Sequence, residues 1–237
     1  MRVLALASQK GGSGKTTLSG HIAVQAERAG AGPVVLVDTD PQGSLSDWWN
    51  ERQSTAPAFA QTTVTRLLSD LDTLRSQGFK LAVIDTPPAI TLAIQSVISV
   101  CDLVLIPTRP SPHDLRAAGA TVEIAERAGK PLIFVINAAT ARARITGEAA
   151  IALSQHGTVA PITIHQRTEF ASSMIDGRTV MEVAESGKSA QEIEMLWQYV
   201  SDRLDKTSRR TIFQNQPVAK RDISPKGFGK RLANQSF

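Results

Sequence analysis

The sequence predicts an α/β fold: a doubly wound, mostly parallel sheet with helices on both faces. Three observations point to it. Short runs rich in Val, Ile and Leu alternate along the chain with longer amphipathic segments. Those runs show little polar alternation, as expected of strands buried on both faces. A glycine-rich loop joins the first run to the first amphipathic segment, and the strand–helix–strand order implies right-handed crossovers.

Strands are expected at residues 2–7, 34–38, 81–85, 103–107, 132–137 and 159–164. Helices are expected at 16–29, 64–77, 91–100, 112–128, 146–155 and 189–205. Gly30, Gly78 and Gly129 fall just past three of these helices, where a left-handed C-cap favours glycine. Residues 50–63, with Pro57 and several small side chains, read as a surface loop. No internal repeat is present. A chain of 237 residues can bury one substantial core, so a single domain is expected over residues 1–206, followed by a tail over 207–237.

Composition narrows the class. Apolar residues make up 42% and charged residues 20% of the chain, and no apolar run reaches the roughly 18 to 20 residues a membrane span requires. The apolar start is too short for a signal peptide, and Cys101 is the only cysteine, so no intrachain disulfide can form and a reducing cytoplasm fits. The net charge of +4 is unevenly spread. Residues 207–237 hold seven basic side chains against Asp222 alone, which leaves the other 206 residues at −2. The tail has two prolines, two glycines and no helical apolar period, and it reads as mostly disordered. It is either a solvated terminus or a contact arm for an acidic partner.

The chemistry begins after the first strand, at Lys10-Gly11-Gly12-Ser13-Gly14-Lys15-Thr16-Thr17. A glycine-rich loop between strand and helix presents successive backbone N–H groups to phosphate oxygens, and the helix dipole adds positive potential there. Lys15 is expected to reach the β- and γ-phosphates and the Thr16 hydroxyl to ligate Mg²⁺. The second strand ends in Asp38-Thr39-Asp40-Pro41-Gln42-Gly43, two carboxylates at the sheet edge where open α/β folds bind ligands. One can hold the Mg²⁺ shell while the other orients an attacking water. The third expected strand ends in Asp85-Thr86-Pro87-Pro88, an acidic residue after an apolar run, suited to Mg²⁺-bound water.

The usual phosphate-loop pattern has Gly where this chain has Gln9, and Lys10 is an additional lysine. In this respect the loop resembles the deviant Walker A motif of the ParA/MinD family, and the strand order resembles that family from Met1 to about Lys206. The resemblance implies an ATP- and Mg²⁺-dependent ATPase, with slow, partner-stimulated hydrolysis. It implies a homodimer formed with ATP, in which Lys10 reaches the nucleotide of the other subunit. It makes Asp40 the water-positioning residue and Asp38, with Thr16 and Asp85, a support for Mg²⁺. It places Asn137 against adenine, with Pro161 helping to close the pocket; as a residue, Asn137 reads equally well as a buried cap on a strand end.

Within that family the lone cysteine argues against cluster-carrying members, and the tail lacks an amphipathic membrane helix. The expected member is a small partition-type protein without an N-terminal helix-turn-helix, acting in the cytoplasm on the nucleoid. Nonspecific DNA, bound through Arg167 first and through Arg142, Arg144 and Arg178, is the expected partner, together with a ParB-like or cargo-adaptor activator. The cargo is a plasmid, a chromosome or a large protein cluster. The alternatives are a membrane-associated MinD-like positioning protein and a small-molecule ligase using the same loop.

Overall fold

The computed structural model describes residues 1–88 and 91–214. Strand β1 (Arg2–Leu6) leads through the glycine-rich loop into α1 (Lys15–Arg28), β2 (Val34–Asp38), α2 (Ser44–Asn50), β3 (Ala58–Gln61) and α3 (Leu67–Ser76). Next come β4 (Leu81–Asp85), α4 (Thr91–Val100), β5 (Leu103–Thr108), α5 (Pro112–Arg127) and β6 (Leu132–Ala139). The described chain ends with α6 (Arg144–Ser154), β7 (Thr158–His165), α7 (Thr168–Met174), α8 (Val180–Val183) and α9 (Lys188–Gln214).

The strands form one seven-stranded sheet in the order β3-β2-β4-β1-β5-β6-β7, and every pairing is parallel. β2, β4 and β5 are buried at every position, which explains their unbroken apolar runs. Alternate residues of β1 serve two cores. Leu4 and Leu6 pack with Leu18 and Ile22 of α1, Trp48 of α2 and Ile193, Leu196 and Val200 of α9. Val3 and Ala5 pack on the other face with Leu71 of α3, Ile94 and Val97 of α4, Val122 of α5 and Leu153 of α6. Each large side chain so buried contributes about 1.5–3 kcal/mol. Helix α9 buries one apolar stripe, Ile193, Leu196, Trp197, Val200 and Leu204. Cys101 lies fully buried within the second core, and burial pushes its thiol up to about 12.

Three elements depart from expectation. The segment read as a loop contains β3, paired parallel to β2 with Val35 opposite Ala58. Three half-buried residues and an exposed Gln61 on a sheet edge carry too little apolar signal to be recognised. Helix α2, not foreseen, buries Leu45 and Trp48, and the Trp48 ring would lie 3.1 Å from a Cβ at Gly20, so glycine in α1 admits it. Helix α9 runs through Gln214, past the expected boundary at Lys206; residues 215–237 of the tail lie outside the described residues. Among the described residues no helix is long and apolar enough to cross a membrane.

The topology locates the site. After β1 the chain builds β2, β3 and β4 to one side, then crosses β1 to lay down β5, β6 and β7 on the other. The carboxyl ends of β1, β4 and β5 flank the point of reversal, where ligands of open α/β sheets bind.

Candidate nucleotide site

The glycine-rich loop leaves β1 at this point. Gly12 and Gly14 take left-handed backbone angles, φ 74° and 95°. Gly14 also caps α1 without a side chain, and the first turn of α1 contains no acidic residue. The free N–H groups at this helix start are therefore left to an external anion. A Cβ at Gly14 would come within 2.1 Å of Asn137 Nδ2, so the loop and the end of β6 are in direct contact. Asn137 Nδ2 donates to the Ser13 carbonyl at 2.7 Å. Of the two roles open to Asn137, that of a strand-end brace is thus occupied.

An open cleft of about 520 Å³ lies over the loop, lined by Gly11, Gly14, Lys15, Thr16, Asp40 and Thr86, among others. Lys15 is only 6% exposed, and its Nζ donates to the carbonyl of Ser8 at 3.1 Å and of Lys10 at 3.4 Å. Burial lowers its pKa, and Asp85 and Asp40 oppose that effect through space. A cation desolvated in this way, held by carbonyls rather than a carboxylate, is suited to a phosphate.

Thr16 Oγ1 donates to Asp85 Oδ2 at 2.6 Å, and Ser19 Oγ to Asp85 Oδ1 at 3.3 Å. Burial, reinforced by Asp38, raises Asp85 to about 7 against the pull of these hydrogen bonds and Lys15. A hydroxyl and a carboxylate in contact form a hard-oxygen donor pair that fits Mg²⁺. Among the described residues no three His, Cys, Asp or Glu side chains gather to cage a metal, so phosphate oxygens and water would complete the shell, as Mg²⁺ prefers.

The two aspartates of β2 separate. Asp40 lines the cleft, its Oδ1 accepting from the Gln42 N–H at 3.0 Å. Asp38, buried like its β4 neighbour Asp85, does not line the cleft. Its Oδ1 accepts from the Asp40 N–H at 2.9 Å, and its Oδ2 from the Ser46 N–H and hydroxyl at 3.1 and 3.0 Å. Helix α2 supplies those donors, so Asp38 braces the loop between β2 and α2. Lys10 is half-buried and lines neither cavity of the site, and its side chain has no hydrogen bond or ion pair among the described residues.

A second cavity, about 150 Å³, continues from the cleft and is lined by Leu18, Asn137, Ile164, Gln166, Arg167 and Phe170, among others. Its mixed apolar and amide lining suits a nucleobase. Pro161 is not part of it. β7 runs four residues beyond Pro161 to His165, so this proline sits mid-strand on the sheet edge, at a register shift against β6, where a missing N–H is tolerated. The residue that sequence reasoning missed is Arg109, which lines both cavities.

Three of the four arginines expected to contact DNA are engaged in ion pairs. Arg167 makes a two-pronged pair with Glu192 at 2.7 and 2.8 Å, and His165 Nδ1 meets the same carboxylate at 2.7 Å. Burial would raise Glu192, but the bonds from Arg167 and His165 hold it below the usual range. Arg178 pairs with Asp176 and Arg144 with Glu148. Arg142, at a turn with φ 60°, is the one of the four that is exposed with no ion pair among the described residues.

Two buried groups give the nucleotide-free protein a testable pH response. Asp85 rises from 3.8 to about 7 on folding, so the folded state holds its proton across that interval. Its contribution is fully present below pH 3.8 and is lost as pH rises through 7. His21 falls from 6.5 to about 4 because it is fully buried, so its contribution is present above pH 6.5 and lost as pH falls through 4. The two slopes oppose each other. Asp85→Asn should remove only the first, leaving an unfolding free energy that climbs more steeply between pH 4 and 6.5. The difference between wild type and variant should decline by on the order of 4 kcal/mol from pH 4 to 8. Urea unfolding across that range measures it, and parallel profiles would contradict the assignment.

Residues 4–180 match the CobQ/CobB/MinD/ParA nucleotide binding domain. The chain is 33% identical over 205 residues to the maintenance of carboxysome distribution protein A of Halothiobacillus neapolitanus, covering 80% of this chain and 91% of that one. It is 35% identical over 218 residues to the protein of the same name from Gloeobacter kilaueensis, covering 88% and 96%. In fold it is similar to the septum site-determining protein MinD of Pyrococcus horikoshii in complex with Mg-ADP, with a TM-score of 0.70 at 17% identity over 87% of this chain and 98% of that one. With its parallel sheet, glycine-rich phosphate loop and match across most of its length, the chain belongs to the ParA/MinD family of nucleotide-binding domains.

Proposed function

We propose that this chain is an ATP-dependent dimerising switch that binds nonspecific DNA in its ATP state and positions a cargo, with hydrolysis stimulated by a partner. The observation that carries this reading is Lys10. Its carbonyl holds Lys15, while its own side chain serves neither cavity of its site and has no partner among the described residues. A second lysine beside a phosphate cradle, yet outside it, fits a contact with the nucleotide of a second copy. Lys15 and the loop amides would hold the β- and γ-phosphates, and Thr16 and Asp85 would hold Mg²⁺, which supplies charge neutralisation when bound. Asp40, at the cleft edge, would orient the attacking water.

The relatives named for carboxysome distribution are matched over most of their length, which favours a large protein assembly over a plasmid as cargo. An adaptor on that assembly would be the activator and the nucleoid the track. Of the expected DNA contacts Arg142 has no ion pair among the described residues, Arg144 and Arg178 sit in exposed pairs that a phosphate can displace, and Arg167 is held by the largely enclosed Glu192.

The test is binding to a random-sequence duplex with ATP, ADP or no nucleotide over a salt series. Wild type should bind with ATP alone, with affinity falling steeply with salt, and Arg142→Glu should bind more weakly. DNA binding that ignores the nucleotide would exclude the switch. ATP consumption that required a small carboxylate substrate and was indifferent to DNA would favour a ligase.

A further inference from the structure

The phosphate cleft and the second cavity share three lining residues, Gly14, Thr17 and Arg109. Arg109 alone of these is charged. It follows Thr108, the buried last residue of β5, and precedes the Ser111 cap of α5, whose hydroxyl accepts from the Asp114 N–H. The Ser111 N–H in turn donates to the Arg109 carbonyl at 2.7 Å. The backbone is therefore fixed on both sides, while the side chain is exposed and has no hydrogen bond or ion pair among the described residues.

A nucleotide is a linear ligand. With its base in the smaller cavity and its terminal phosphates over the loop, its ribose and first phosphate must cross the junction between them. We infer that Arg109 is a nucleotide-binding residue at that junction, its guanidinium pairing with the α-phosphate. The inference deepens the nucleotide-site reading and rests on it, but not on dimerisation, DNA or cargo. A planar fork of donors suits a phosphate better than a point charge does. Because ATP and ADP share the α-phosphate, the contact acts on binding of both and is indifferent to the γ-phosphate.

The experiment is calorimetric titration of Mg-ATP and Mg-ADP into wild type, Arg109→Ala and Arg109→Lys, without DNA or partner. Arg109→Ala should weaken both nucleotides by the same factor, about 10- to 100-fold, with Arg109→Lys intermediate and the ATP-to-ADP ratio unchanged. Hydrolysis at saturating ATP should keep its wild-type rate while KM rises. The melting temperature of nucleotide-free Arg109→Ala should equal that of wild type, since the native side chain has no partner to lose. Unchanged affinity in Arg109→Ala, a loss confined to ATP, or a fall in the saturated rate alone would each overturn the inference. If wild type bound neither nucleotide, the site reading itself would fall with it.

Discussion

Lys15→Met is expected to lower ATP affinity by at least about 100-fold, and ADP affinity by a smaller factor because ADP lacks the γ-phosphate, while leaving the nucleotide-free protein as stable as wild type or more so. The first half follows from charge. Hydrogen bonds to ionised groups contribute about 1.5–3 kcal/mol each, and one ammonium serving two phosphates loses at least two of them. The second half follows from burial. Lys15 is desolvated and held only by the carbonyls of Ser8 and Lys10, so an apolar side chain of similar length removes a buried charge from a site that stabilises it poorly. A thermal-shift series separates the two effects. Wild type should gain about 2.7 kcal/mol at an ATP concentration of 100 times Kd, and the variant no more than about 0.4 kcal/mol at that same concentration. A variant that kept its nucleotide response would remove Lys15 from the phosphate site.

Asp40→Ala should lower single-turnover ATP hydrolysis by about 10²- to 10⁴-fold, the usual range for losing a group that manages the attacking water's proton. Nucleotide affinity should stay within a few-fold, or tighten, because one negative charge leaves the neighbourhood of Lys15. Folding should be unaffected, since the side chain holds only the exposed Gln42 N–H. The variant should therefore accumulate in the ATP state and, under the proposed cycle, remain on DNA. Rapid-quench measurement of the bound nucleotide decides the first point. Hydrolysis at the wild-type rate would mean that another group positions the water.

The phosphate loop, Asp40, Asp85 and the six longer strands were legible because their signals are local. Eight adjacent residues spell the loop, and an acidic residue ending an apolar run marks a strand edge. What sequence did not reveal is non-local or weak in apolar content. β3 is four residues, three half-buried and one exposed, and α2 is seven residues whose anchor, Trp48, declares itself only against Gly20 of another helix. Asp38 was assigned to Mg²⁺ by resemblance, and its bonds from Ser46 could not be foreseen because Ser46 becomes a donor only once α2 exists. Arg167 was taken as free because the Glu192 that pairs with it lies 25 residues further on. Arg109 carries no motif at all; its place at the meeting of two cavities is a property of the fold. Pro161 was assigned to the adenine pocket by resemblance, although it already fell inside the expected strand 159–164.

The burial of Cys101 has a practical consequence. Its thiolate fraction in the folded protein is vanishingly small at neutral pH, so thiol reagents should pass it by. The natural chain can then serve as a cysteine-free background: one cysteine introduced at Lys10 would carry a fluorophore or a cross-linker without prior removal of Cys101. The same seclusion makes Cys101 a built-in reporter of opening, because labelling there should proceed only when the core behind α4 comes apart.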